Sequence, residues 1–204
     1  MPGSSLWLVP PEDSDLYKAI DNLVNQRLPS IYNNASPKSF SPHVTLTSDT
    51  ITDYADPQEW LDSIPLPRDD ALASLVVTIK DVQVGKPFFR KLTMACSKTV
   101  ELDGLAVHCR VAGVEGVEQE AADKWVDESY SPHCSLMYSD ASEDHVEEKL
   151  TKVNDAIQDV RQQYPDSKTT TGGSIWLVPT FKAIDDWKPV AIRQLPSMKW
   201  VWSK

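Results

Sequence analysis

The sequence predicts a mixed strand-and-helix fold in one domain of two facing lobes. Three observations carry that expectation. Strand-like and helix-like apolar patterns alternate along the chain, the second half repeats the order of the first, and a six-residue frame containing histidine recurs 90 residues on. A period of roughly 20–50 residues would signal a solenoid, whereas a duplication this long signals two lobes. The domain spans 1–204, with half-chains of about 1–85 and 86–180 and a tail of about 181–204.

The first half opens with a strand, Ser5-Leu6-Trp7-Leu8-Val9, which Pro10 and Pro11 end. Asp13 or Ser14 can cap the helix that follows to about Leu28, where Leu16, Ala19, Ile20, Leu23 and Val24 form one apolar stripe. Pro29 and the stretch Tyr32-Asn33-Asn34-Ala35-Ser36-Pro37 read as a loop. A short strand from His43 to Thr47, a small helix around Pro57–Ile64 and a β-rich run from Ser74 to Val84 complete the half. In the second half Phe88 to Ala95 reads as a strand, and Val100 to Cys109 as a helix with Leu102, Leu105, Ala106 and Cys109 on one face. An acidic linker near Gly113–Gly116 leads to Ser131-Pro132-His133-Cys134-Ser135-Leu136. A long helix from about Glu143 to Gln163 then precedes the strand Ser174-Ile175-Trp176-Leu177-Val178. That strand echoes Ser5–Val9, out of repeat order, and reads simply as a second core strand.

Each half is thus strand, helix, histidine-bearing strand, helix, strand. Ser41-Pro42-His43-Val44-Thr45-Leu46 and Ser131-Pro132-His133-Cys134-Ser135-Leu136 share the frame Ser-Pro-His-x-(Thr/Ser)-Leu. On a strand, residues i and i+2 share a face, so His43 lies beside Thr45 and His133 beside Ser135, while Val44 and Cys134 turn inward. The preceding prolines suit a strand start at a cleft rim. Two histidines suit the opening of a five-membered cyclic phosphate: one takes a proton from water, the other gives one to the departing sugar oxygen. The hydroxyls of Thr45 and Ser135 can donate to the non-bridging oxygens as charge builds there. Neither metal nor cofactor is required by this design. A single His-x-Thr on a strand is weak evidence; two copies in one frame, each in the same place in its half, are not. His108 and His145, the remaining histidines, read as plain polar helix positions.

At these residues the sequence resembles the 2H phosphoesterase superfamily, and within it the cyclic nucleotide phosphodiesterases of fungi and plants. The resemblance implies a bilobal α+β fold, with antiparallel sheets lining a central cleft and helices outside. It implies His43 and His133 as the catalytic pair, Thr45 and Ser135 as phosphate-binding hydroxyls, and Tyr138 as a tyrosine near the substrate. By simple alternation Tyr138 faces away from His133, so a bulge or the strand's end must re-aim it, or else it is core. The implied activity opens ADP-ribose 1″,2″-cyclic phosphate to the 1″-phosphate and nucleoside 2′,3′-cyclic phosphates to 2′-phosphates, in the disposal of tRNA-splicing products. The two histidines are not divided into acid and base by the sequence.

Bulk properties bound the partners. The chain has 204 residues, 41% apolar and 25% charged, enough for one substantial core. Its net charge of −10 argues against a nucleic-acid polymer as partner. That charge is uneven: residues 101–166 hold 16 acidic and 5 basic side chains, the remainder 14 and 15. An anionic small molecule must approach the less acidic part and find local donors there. Cys96, Cys109 and Cys134, an odd count without CxxC spacing, read as reduced intracellular thiols, although one disulfide stays open; no zinc-ligand cluster is present in the sequence. The longest apolar runs are too short for stable membrane insertion, and the N-terminus lacks a secretory pattern. The expected protein is a cytoplasmic monomer, with peripheral Golgi-membrane association left open.

Several weaker features invite a role. Phe88-Phe89-Arg90-Lys91 offers an aromatic face and cations, against core packing for at least one phenylalanine. Lys38 reads as a solvated loop lysine, and the tail Met198–Lys204 as packing one apolar face on the protein rather than on a membrane. The competing functions are an RNA-end enzyme (2′–5′ RNA ligase-like or exonuclease), disfavoured by the acidic balance, and a non-catalytic nucleotide-binding module, disfavoured by the retained pair of histidines.

Overall fold

A computed structural model of the chain describes residues 3–32 and 38–203. Beyond Tyr32, the loop expected over Tyr32–Pro37 lies outside the described residues. The first strand, β1 (Ser4–Val9), is buried throughout and ends at the prolines. Ser14 caps the next helix, its Oγ accepting from the Tyr17 N–H at 3.2 Å. That helix, α1 (Asp15–Asn22), buries Leu16, Ala19 and Ile20, as its periodicity requires. It does not stop near Leu28. A π segment over Leu23–Arg27, in which the Leu28 N–H reaches back to the Leu23 carbonyl, carries it into α2 (Leu28–Ile31). Pro29 stands directly after the π segment, near the end of the helix.

The first histidine strand is β2 (Val44–Thr50), followed by α3 (Pro57–Ser63), α4 (Asp69–Ser74) and β3 (Val76–Val84). The strand expected over Phe88–Ala95 is instead a 3-10 turn at Phe88–Arg90 and then β4 (Leu92–Cys96). Helix α5 (Val100–Gly113) is capped by Thr99. The acidic stretch beyond it is not all linker, because α6 (Gln119–Glu128) forms there and buries Ala122 and Val126 against α5. Strand β5 (His133–Met137) is the second histidine strand. The long helix is divided into α7 (Glu143–Glu147) and α8 (Leu150–Gln163). Strands β6 (Thr169–Thr171) and β7 (Ser174–Val178) follow, and the tail supplies β8 (Ala191–Gln194) and β9 (Lys199–Trp202).

These strands form one sheet in the order β6-β9-β3-β4-β5-β2-β1-β7-β8, antiparallel except where β9 joins β3. The α+β class holds, and the repeat is legible in the order: outward from the β5–β2 junction run β5-β4-β3 on one side and β2-β1-β7 on the other. The half-chains do not coincide with the two sides, however. Each half gives its last strand to the other, so β3 completes the β4–β5 side and β7 the β1–β2 side. This exchange explains the Ser5–Val9 echo. β1 and β7 are direct antiparallel neighbours, with Trp7 paired to Trp176 and Leu6 to Leu177. The helices cross over as well: α5 packs against β2, and the π segment after α1 packs against β5. Trp200 and Trp202 of the tail are buried in the core, as the packing reading of the tail requires. No helix among the described residues is long and apolar enough to cross a membrane.

Candidate active site

The Ser-Pro-His frame acts through its backbone. His43 stands just before β2 and His133 begins β5. In each, the imidazole Nδ1 lies within hydrogen-bond distance of the carbonyl two residues earlier: 2.7 Å to Ser41 O and 2.8 Å to Ser131 O. A carbonyl only accepts, so Nδ1 carries the proton and Nε2 keeps its lone pair in the neutral ring. Both histidines are thereby set in the same tautomer by serine carbonyls, not by serine hydroxyls.

Strands β2 and β5 pair at one position, Val44 with Cys134, and antiparallel. That register sets His43 level with Ser135 and Thr45 level with His133 across the junction. Each strand then carries a bulge at the same point. Along β2, Trp7 pairs with Thr45 and Leu6 with Thr47; along β5, Thr93 pairs with Ser135 and Leu92 with Met137. One extra residue, Leu46 or Leu136, is thus inserted after each hydroxyl residue. The bulge reverses the alternation, so Tyr138 turns to the His133 face after all. Its hydroxyl lies 3.4 Å from Nε2 of His43.

The two copies differ in their surroundings. Trp7 stacks on the His43 ring with centroids 3.6 Å apart and planes 6° from parallel, and Phe40 meets it edge-on at 5.9 Å. His43 is 2% exposed, and burial pulls its pKa down to about 3, against a smaller upward pull from the Ser41 carbonyl. Around His133 the equivalent positions hold Thr93 in place of Trp7 and Ser48 in place of Tyr138. His133 is accordingly open to the cleft. Its pKa is also lowered, first by burial and further by the Arg90 charge, with the Ser131 carbonyl opposing. Tyr138 is buried and stacks on Phe40 at 4.2 Å, and burial raises its hydroxyl pKa.

A cleft of about 240 Å³ runs over this junction, lined by Thr45, Ser135, His133 and Tyr138 together with residues toward either end. Phe89 and Arg90 stand at one end, Thr47, Ser48, Trp125 and Tyr130 at the other. Tyr130 donates from its hydroxyl to the Thr45 carbonyl at 3.3 Å, fixing the β2 edge. Of the expected site residues, Thr45, His133, Ser135 and Tyr138 line the cleft, and His43 lies beneath Tyr138. Phe89 and Arg90 reach it too, because the 3-10 turn frees them from the sheet. Phe88 packs on the core, and Lys91 is buried with Nζ donating to the Lys86 carbonyl at 2.9 Å. Lys38 pairs with Asp185 at 3.2 Å and is not among the residues lining the cleft. All three cysteines are buried free thiols.

Trp7, Trp125, Tyr130 and Trp187 were not anticipated here. Trp187 packs on Trp7, Phe89 and Tyr138. Only Trp125 had a sequence signal, since Ala122, Trp125 and Val126 repeat at i, i+3, i+4 within the supposed linker.

Two histidines, each with Nδ1 against a serine carbonyl, stand beside two hydroxyls across a pseudo-twofold strand junction on an α+β fold. The chain belongs to the family of cyclic phosphodiesterase-like proteins, whose description matches residues 1–195. A 2′,3′-cyclic-nucleotide 3′-phosphodiesterase of Phaeosphaeria nodorum is 38% identical over 96% of this chain and 100% of its own length. One of Neurospora crassa is 35% identical, again over 96% and 100%. Among solved structures, a conserved protein of unknown function from Agrobacterium tumefaciens is 16% identical with a TM-score of 0.45, covering 93% of this chain and 85% of that one.

Proposed function

We propose that the protein hydrolyses small cyclic phosphates without a metal, opening nucleoside 2′,3′-cyclic phosphates to 2′-phosphates and ADP-ribose 1″,2″-cyclic phosphate to the 1″-phosphate, among the products of tRNA splicing. The observation that carries this reading is the antiparallel Val44–Cys134 register, with an imidazole and a hydroxyl from each strand facing across it. Family membership and the fungal relatives' names support it.

In the proposed reaction, the cyclic phosphate sits over the junction with its non-bridging oxygens against the Thr45 and Ser135 hydroxyls. Water attacks phosphorus in line with the departing sugar oxygen. His133 takes the water's proton, because it is the histidine open to the cleft and its Nε2 lone pair is available. His43 protonates the leaving oxygen. Its ring is neutral in the free protein, and an anionic ester bound beside it raises its pKa. The indole of Trp7 favours the imidazolium once formed. A depressed pKa then makes that imidazolium a ready proton donor.

The test uses 2′,3′-cyclic AMP and ADP-ribose cyclic phosphate in EDTA, with products identified by chromatography. His43→Ala and His133→Ala should each lower kcat by about 10²–10⁴. Catechol cyclic phosphate, whose phenolate departs without help, should restore much of the rate to His43→Ala but not to His133→Ala. Turnover that survives both substitutions, or that EDTA abolishes, would sink the mechanism.

A further inference from the structure

Tyr138 and Ser48 occupy matching places, each five residues after a histidine and each beyond the bulge of its own strand. Tyr138 reaches across the junction until its hydroxyl lies 3.4 Å from Nε2 of His43. The pseudo-twofold relation aims Ser48 in the same way at Nε2 of His133, and both residues line the cleft. A serine hydroxyl falls short of a tyrosine hydroxyl by the length of a phenol ring. Between Ser48 Oγ and His133 that difference leaves roughly the room of one water with its hydrogen bonds, at the place that corresponds to the Tyr138 oxygen.

The hydroxyl proton of Ser48 is already engaged, because Oγ donates to Asp49 Oδ2 at 3.3 Å. Asp49 is the only residue other than glycine, among the described residues, with a left-handed backbone (φ 62°), a conformation that its surroundings must hold. Ser48 Oγ therefore meets the cleft as an acceptor, and Nε2 of the neutral His133 is an acceptor as well. Two acceptors flanking one water take both of its O–H bonds and leave its lone pairs for phosphorus. At His43 the Tyr138 oxygen itself fills the corresponding place.

Resting on the cyclic phosphodiesterase reading, we infer that Ser48 is a further catalytic residue, which holds the attacking water against His133. The water oxygen bonds to phosphorus as the bond from phosphorus to the sugar oxygen breaks. One water proton passes to His133 Nε2, the other stays on the new phosphate oxygen beside Ser48, and the leaving oxygen takes its proton from His43. A serine in one copy and a tyrosine in the other thus give a nearly symmetric site a single side for the nucleophile.

The experiment follows 2′,3′-cyclic AMP in water and in water–methanol mixtures, with the full-length protein, Ser48→Ala and Ser48→Gly. Chromatography separates the adenosine phosphate from its methyl ester. Methanol has a single O–H, so once that is given to His133 its methyl group must face Ser48 Oγ. The unaltered protein should therefore prefer water, and Ser48→Ala should raise the ratio of methyl ester to free phosphate by on the order of tenfold. Its kcat for hydrolysis should fall by roughly three- to tenfold with KM nearly unchanged, because the water rather than the substrate has lost a partner. The product ratio is read within one sample, so a loss of folded protein does not alter it. A ratio unchanged in both variants overturns the inference. So does a rise in KM at constant kcat, which would make Ser48 a substrate-binding group. Absence of turnover in the unaltered protein would overturn the phosphodiesterase reading and this inference with it, a result distinct from hydrolysis that is indifferent to Ser48.

Discussion

His43 and His133 share a frame, a carbonyl partner and a tautomer, yet differ in dielectric surroundings. Trp7, Phe40 and Tyr138 enclose His43, while a threonine and a serine occupy two of the equivalent places near His133. One consequence is a pH dependence of stability. The folded pKa of His43, about 3, lies below its unfolded value near 6.5, so the unfolded chain takes the proton first. Its contribution is fully present above pH ~6.5 and is lost progressively as pH falls toward about 3. Urea unfolding between those limits should show falling stability, and His43→Gln should flatten part of the slope; an unchanged slope would mean that other groups dominate acid unfolding. A second consequence concerns Tyr138, whose hydroxyl is placed to donate to His43 Nε2. Tyr138→Phe keeps the stack on Phe40 and removes that donor, and its kcat should fall by roughly tenfold, within the range expected for one hydrogen bond. If only KM moved, the hydroxyl would be a binding group instead.

The elements show how local signals became a site. A proline, a carbonyl and a one-residue bulge are repeated in β2 and β5, and together they aim an imidazole, a hydroxyl and the fifth residue after each histidine. The frame was visible in the sequence; the bulge entered there only as one of the ways to re-aim Tyr138, because its cause is the pairing partner rather than the strand itself. Helix α6 was missed for a different reason. Its apolar stripe is short and its remaining residues are charged, so only packing on α5 reveals it as a cleft wall. Helix α5 starts at the Thr99 cap, where Oγ1 accepts from the Leu102 N–H at 3.2 Å. Thr99→Ala should cost about 1 kcal/mol in chemical denaturation. A loss too small to resolve would show that α5 is held by its packing on β2 alone.

At the scale of the whole molecule, the sheet works as one unit. β9 joins β3 in parallel and β6 antiparallel, and it buries Trp200 and Trp202 far from the cleft. Removing residues 197–204 would expose the edge of β3 and open the core beneath it. Trp200→Ala should therefore destabilise the protein by about 3–5 kcal/mol, measured by thermal or urea unfolding. A chain lacking β9 that still unfolded in one cooperative step at the full-length midpoint would show that the tail is dispensable.

The sequence by itself determined the α+β class, the strand-then-helix order of each half and the identity of the six-residue frames, because these follow from apolar periodicity and from proline and hydroxyl placement. Tertiary structure alone decided that the halves exchange their last strands, so that Ser5–Val9 and Ser174–Val178 lie side by side. It also decided which histidine is enclosed. The physical reason is common to both: burial and pairing depend on residues distant in the chain, and two frames with nearly the same spelling acquire different electrostatics from the neighbours that folding brings to them.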